Sequence, residues 1–474
     1  MKRTIQIMLI LVLFLSINNL LEALTLDECI ELAEKNNKEL KKAQEEVKRL
    51  ESEYVNVRGQ LLPQLNFEGG YNLKKTHIPE SSLIETESVT NYLNSQLTGN
   101  ASLNDSLLLE NELTLANYLD QSISSMVPDE EKEEASLAAT LKLEQVVFLG
   151  GKLINGIKAV KKVKKIKYQT YELQRQEVIF KTKQMFYQVL LLKEVVSIQE
   201  EALNFAESYH AQIKKLYKQG LTSEYDLLRS ELEVEKIKPD LIEAKNNLVM
   251  AKENFRKFLG LKADYNLEGE ISWNSKSGMK YEEALDKGLR QRIELELAKI
   301  NVDVNEIRLE AEKGNFLPNI MLSAEYSHFA QGDEYKISGD DFGSYYQVGI
   351  GVQIPLFTGL SNTAKVKKIK HTLNQSEISL NDAKDKIELD ILNSYNNLEN
   401  KLKKLESQRK NVGLAKKGLE IAETRFENDI SIQLELIDAQ LQLKTAKLNQ
   451  TKAVYDTIIA YEKLKKAAGI NYQK

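Results

Sequence analysis

The residues whose type and spacing could do chemistry are two carboxylates in the stretch LELIDAQ, Glu435 and Asp438. At a spacing of three they share one face of a helix. In a single chain the pair reads as an acidic helix start, favourable to the helix dipole. Gathered around an axis by several copies, it would form a ring of like charge that attracts cations, multivalent ones most strongly. Both readings stand at this point. Catalysis finds no support, because the four histidines, His77, His210, His328 and His371, are scattered without ligand spacing or a nucleophile beside them. His210 falls in the apolar register of a long helix, where a packed, hydrogen-bonded histidine is expected. Neither a metal nor another cofactor is called for.

The elements that must position these residues begin with composition. The chain has 474 residues, 28% of them charged, 42% hydrophobic and only six proline, a balance that suits long helices. Lys2 and Arg3 precede the apolar run Ile7 to Leu15, and Ala23 offers a cleavage site, so residues 1–23 read as a secretory signal. Without them the formal net charge moves from −5 to −6, which gives no reason to expect nucleic acid. The lone cysteine, Cys29, cannot form an intramolecular disulfide. No later apolar run has the length of a transmembrane helix, so membrane entry would need a closed β-barrel.

The sequence is written twice. Residues 26–71 match 281–326 at a constant offset of 255, pairing Glu39 with Glu294, Gly59 with Gly314, Pro63 with Pro318 and Tyr71 with Tyr326. Residues 148–260 match 357–469 at an offset of 209, pairing Phe148 with Phe357, Gly150 with Gly359 and Gly260 with Gly469. The first copy spans 24–260 and the second 281–474, with a non-helical linker over 261–280 and a long polar loop over 74–137. Each copy reads as helix, strand, strand, long helix, short helix. The first helices are expected over 26–62 and 281–317, each a single rod, and the long helices over 152–219 and 361–428. In the second long helix apolar residues recur at sevens: Val366, Leu373, Leu380 and Ile387, then, after a step of four, Ile391, Leu398, Leu405, Val412, Leu419 and Phe426. That is coiled-coil packing with a stutter.

Strands are expected at about 64–73, 138–147, 319–327 and 346–354, and all alternate. In the last, Tyr346, Val348, Ile350, Val352 and Ile354 oppose Gln347, Gly349, Gly351 and Gln353. One apolar and one small polar face fit a barrel strand with lipid outside and water inside. Four strands cannot close a barrel, since the smallest use about eight. Three copies would supply twelve strands and a lumen lined by Gln347, Gly349, Gly351 and Gln353. Lysines 158, 161, 162, 164, 165 and 167, below one strand pair, read either as contacts to lipid head groups or as a solvated face.

The duplication, the LLPQL and FLPNI junctions, the strand ending IPLFTGL and the turn LELIDAQLQL resemble the TolC-type outer-membrane efflux proteins over essentially the whole mature chain. The resemblance implies a mainly α protein with β: a homotrimer whose twelve-stranded outer-membrane β-barrel continues into a long periplasmic α-helical barrel. It implies the exit duct of a tripartite export system, partnered by a periplasmic adaptor, an inner-membrane pump and outer-membrane lipid. Protein secretion of the type I kind is the alternative within that class, and a non-pore periplasmic scaffold or adhesin the alternative outside it. Glu435 and Asp438 match the family's periplasmic constriction. In the first copy Asp226 matches it, while Arg229 stands opposite Asp438. The family often places a basic latch residue where this chain has Ser431, and an aromatic near Phe426, so the gate neighbourhood is Phe426, Ser431 and Arg229.

Overall fold

In the computed structural model the described residues are 23–76, 132–274, 279–428 and 430–470. Most of the signal segment, most of the 74–137 loop, Gly278 and Asp429 lie outside them. The chain forms two compact units. One is helical and comprises residues up to 56, 154–312 and 360 onward; the other holds the strands and comprises 57–153 and 313–359.

In the first copy the helices are α1 (Leu26–Asn36), α2 (Lys38–Gly59), α3 (Lys152–Lys218) and α4 (Glu224–Leu259). Those of the second are α5 (Tyr281–Gln291), α6 (Ile293–Lys313), α7 (Ser361–Glu427) and α8 (Gln433–Ala467). The single rods expected over 26–62 and 281–317 are therefore each broken in two, at Asn37 and Arg292. These residues are equivalent at the offset of 255, and both leave the helical region with ψ near 125°. The break has a local cause in each copy. Asn37 turns its Oδ1 onto the Leu40 amide at 3.0 Å, which makes it the cap of α2. Arg292 is held by Glu294 at 2.7 Å, Asp390 at 2.6 Å and the Ala467 carbonyl at 3.2 Å. Its charge-assisted bonds tie α5, α7 and α8 at one point.

Helices α3 and α7 have 67 residues each, a rise of about 100 Å. Along α7 the heptad positions Ile387, Ile391, Leu398 and Leu405 are buried, and the other six are half-buried. Ala284 and Leu295 of the second copy's first helices, with Ala460 and Leu464 of α8, close over Ile387 and Ile391. The two copies fill this core differently. Ile391 is fully buried beside Gly288, where an added Cβ would overlap the Ile391 Cδ1 atom. At the equivalent positions the first copy has Thr182 and Ala33, both fully buried, with Thr182 Oγ1 donating to the Val178 carbonyl at 2.7 Å. A larger side chain in one helix is matched by a smaller one in its neighbour, as close packing requires. The lysines below the strands are largely internal partners: Lys162 reaches Asp303, Lys164 Glu51, Lys165 Glu296 and Lys167 Glu46, all within 3.3 Å. Those four stitch α3 to α2 and α6.

The β unit is one antiparallel sheet, β1 (Gln64–Thr76), β2 (Lys132–Leu149), β3 (Asn319–Asp333) and β4 (Phe342–Gln353), in the order β1-β2-β3-β4. The strands run further than the sequence pattern suggested, into segments whose alternation is interrupted by Lys, Gly and Ser. Register carries the faces across all four: Phe67 pairs with Leu141, Leu141 with Tyr326, and Tyr326 with Tyr346. The apolar sets of the four strands therefore share one face. Gln347, Gly349, Gly351 and Gln353 lie on the other, opposite Glu325, Ser323, Met321 and Asn319. The duplication reaches into the pairing itself: Gln64 faces Glu144 as Asn319 faces Gln353, residue for residue at the two offsets.

Gly288→Ala alone should destabilise the protein by about 1–3 kcal/mol through overpacking, and Ile391→Thr alone by a similar amount, about 1–3 kcal/mol, through lost volume. Combined, they rebuild the first copy's arrangement, with a threonine hydroxyl able to reach the Ile387 carbonyl. Thermal midpoints of the detergent-purified proteins should show the double variant more stable than the sum of the singles predicts; strict additivity would contradict direct packing of the pair.

Candidate functional site

At the end of the helical unit where α3 turns into α4, the chain is tightly capped. Gly220 adopts φ 75°, and Ser223 and Asp226 form a reciprocal capping box. The Asp226 Oδ2 accepts from Ser223 Oγ at 2.6 Å and from Thr222 Oγ1 at 3.1 Å. These hydroxyls, with the Ser223 amide and the nearby Arg229 charge, hold its carboxyl below the usual aspartate range. Asp226 is thus engaged inside its own turn.

The equivalent turn, α7 into α8, is built otherwise. Ile432 stands at the cap position and has no side-chain hydrogen bond to give. Glu435 is instead met by Arg425, from the last turn of α7, at 3.5 Å. Both side chains are half exposed, so the pair bridges the two helices across open solvent. Beside it a groove of about 830 Å³ runs between α7 and α8. Arg425, Glu435 and Asp438 line one end, Gln442 its α8 wall, and Leu414 and Ile421 its α7 wall. Glu435 and Asp438 therefore share this groove, and Asp226 is not among its lining residues. The Ser431 hydroxyl is buried without a partner among the described residues.

An apolar cluster draws the two turns together. Tyr209 and Ile213 of α3 pack with Ala422 of α7 and Leu436 of α8, and Leu227, Leu419 and Phe426 border them. Phe426 meets Tyr209 edge to face, with ring centroids 5.6 Å apart. Gln433 donates to the Asp226 backbone carbonyl at 3.3 Å. His210 is half-buried with Nδ1 2.8 Å from Ser230 Oγ. The bond leaves His210 a satisfied packing residue whichever of the two groups donates. Sequence reasoning found Glu435, Asp438 and Phe426 but missed Arg425, Tyr209 and Gln433. Arg425 was hidden because it precedes the turn by several residues, and its counterpart in the first copy is Leu216. A scan for bases anywhere in the preceding helical turn would have exposed it.

The polar face of the sheet is the second feature. On it Lys142 pairs with Glu144 at 2.8 Å, Tyr345 donates its hydroxyl to Glu325 at 2.7 Å, and the Thr140 and Ser327 hydroxyls meet at 2.9 Å. Among the described residues no element covers the opposite face: Tyr346 is 83% exposed, Val348 72% and Ile350 69%. Among the described residues no cluster of ligand side chains could hold a metal, and no helix is long and apolar enough to cross a membrane.

These features have known counterparts. Outer membrane protein TolC of Vibrio cholerae is 22% identical over 305 residues, 63% of this chain and 69% of its own. The alkaline protease secretion protein AprF of Pseudomonas aeruginosa is 22% identical over 349 residues, 72% of this chain and 71% of its own. In fold, the Campylobacter jejuni CmeC outer membrane channel superposes with a TM-score of 0.73 at 17% identity, over 94% of this chain and 86% of that one. The open-state Neisseria gonorrhoeae MtrE outer membrane channel gives 0.70 at 16%, over 94% and 88%. The model of the family described as outer membrane efflux protein matches residues 29–261 and 284–470. Covering most of both copies, that match makes the chain a member of the outer membrane efflux protein family.

Proposed function

We propose that three copies of this chain assemble into the exit duct of a tripartite export system, passive in itself and opened at the end that carries Glu435 and Asp438. The observation that carries this reading is the sheet. Among the described residues its apolar face has no cover, its polar face is small and hydrophilic, and β1 and β4 each have one unpaired edge. An outer-membrane barrel uses all three features: lipid covers the apolar face, water the polar one, and neighbouring copies the edges. Twelve strands from three chains give such a barrel, with Gln347, Gly349, Gly351 and Gln353 facing its lumen. The scaffold reading leaves the bare apolar face without a use.

At the helix-turn end, three copies would gather six carboxylates, from Glu435 and Asp438, at one height. Asp226 contributes less, since its carboxylate is turned into the cap and Arg229 lies nearby. The Arg425–Glu435 pair takes the place of a basic latch at Ser431, holding the end of α7 to the start of α8. Opening would separate these helix ends, with energy from an inner-membrane pump delivered through a periplasmic adaptor. The groove between α7 and α8 is a surface such an adaptor could engage. Small molecules are the proposed cargo. Export of proteins is the second reading, favoured by the match to a protein named for protease secretion over most of this chain.

Planar-bilayer recordings of the detergent-extracted mature protein test the reading. The wild type should give small, cation-selective steps, and Glu435→Ala combined with Asp438→Ala should enlarge them and bring selectivity toward unity. A monomer without conductance would refute the duct. Arg425→Ala removes an exposed pair worth about 0.2–1 kcal/mol. In the same recordings it should raise the open-to-closed ratio about 1.4- to 5-fold per protomer, while Lys410→Ala, which removes an exposed pair within α7, should leave it unchanged.

A further inference from the structure

Among the described residues eight buried side-chain atoms lack a hydrogen-bond partner, and four of them belong to one stretch of the helical unit. These are the oxygens of Tyr209 on α3, Ser431 in the α7–α8 turn, and Gln433 and Gln440 in the first turns of α8. A buried polar group without a partner has given up its hydration for nothing, so a concentration of them in one place calls for a cause. Tyr209 is the most demanding. It is 7% exposed, and burial, followed by the Asp226 charge, pushes its hydroxyl above the usual tyrosine range, so it keeps a proton to donate.

Tyr209 and Gln440 line the same cavity, a space of about 30 Å³ enclosed by α3, α4 and α8. Ala202 and Ala206 leave room on the α3 side, while Ile237 of α4 and Leu441 of α8 supply apolar walls. The duplication explains why the space is there. At the offset of 209, Ala202, Ala206 and Tyr209 correspond to Asn411, Ala415 and Gly418, three residues that line the wide groove between α7 and α8. The cavity is what remains of the first copy's groove once α8 lies in it. Its size decides what it can take: about 30 Å³ is the share of one molecule in liquid water, and far less than an organic ligand needs. Glu233 and Lys444 also border it, which gives the polar surround that a bound water requires.

We propose that this cavity is the site of a structural water that accepts the Tyr209 hydroxyl proton and donates to the Gln440 side-chain oxygen, tying α8 to α3 across the seam between the two copies. Turning the Gln440 amide over would present its NH2 instead, and a water serves either group. Such a bridge is nearly as favourable in enthalpy as a direct hydrogen bond, yet it leaves both side chains free to take other partners when the helices separate. Its consequence for conduction rests on the duct reading: there α8 parts from its support on opening, and the bridge is a contact that opening must break. The water itself does not depend on that reading.

Radiolytic labelling of the full detergent-purified protein tests it. X-rays turn a bound water into hydroxyl radicals in place, so a tyrosine beside one is hydroxylated although bulk solvent does not reach it. Tyr265 is the internal control, 4% exposed with its hydroxyl donating to the Lys252 carbonyl at 3.0 Å. Tyr209 should be labelled several-fold faster than Tyr265, and Ala206→Val, which fills the cavity, should bring the two rates together. Equal rates in the wild type overturn the water. A second measurement has opposite signs for the two cases. With the water present, Tyr209→Phe breaks a bridge and should lower the thermal midpoint by about 1–3 °C; in a dry cavity it removes an orphaned hydroxyl and raises the midpoint, which also overturns the proposal. In planar bilayers Tyr209→Phe should raise the open-to-closed ratio. An unchanged ratio overturns the link to opening, whereas a wild type that never conducts refutes the duct reading and leaves the labelling result to stand.

Discussion

A four-stranded sheet that, among the described residues, buries neither face and leaves both edges open is the constraint to which everything else answers. Backbone N–H and C=O groups on β1 and β4 need partners, and the row of Tyr346, Val348 and Ile350 needs an apolar surround. Water satisfies the groups on an edge but not the apolar row; lipid satisfies the row but not the edges. Only closure by further strands within a bilayer satisfies both. Among the described residues the sheet is thus a fragment; on the proposed duct reading other copies complete it, and its polar side chains line what is completed.

The helical unit works under the opposite constraint. It must hold helices about 100 Å long without a globular core, and does so with narrow seams at heptad spacing. Such seams are sensitive to volume, as Gly288 and Ile391 show against Ala33 and Thr182. Duplication supplied two equal frames, and the two have since been packed independently. Helix breaks at Asn37 and Arg292 persist in both although one is made by an amide cap and the other by an ion-paired guanidinium. The geometry is shared while the chemistry that enforces it differs.

What the sequence made legible follows from this. The repeats, the strand faces and the long helices are periodic features, and period is what a sequence displays directly. The breaks in the first helices were missed because neither Gly nor Pro marks them. Asn37 acts through one side-chain bond, and Arg292 through Glu294 beside it together with partners about a hundred residues or more away. The strand ends were underestimated because Lys74, Lys75 and Gly343 interrupt the alternation while the ladder continues. At the candidate site Glu435 and Asp438 were found by their spacing, whereas Arg425 belongs to a different helix and is brought near only by the turn.

The asymmetry between the two turns bears on how a gate can work. In the first copy Ser223 and Thr222 engage the Asp226 carboxylate, so that turn is stiffened by its own acid. In the second copy no side chain among the described residues caps the helix, and the first acid, Glu435, is tied instead to another helix through a half-exposed ion pair. An internal cap is indifferent to what neighbouring helices do, whereas a solvent-exposed pair between helices is weak enough to be exchanged for other contacts. A moving part must draw on the weaker kind of contact. On the proposed duct reading the α7–α8 turn is the element that moves, and the α3–α4 turn, joined to it through Gln433 and the Tyr209 cluster, is the support against which it moves.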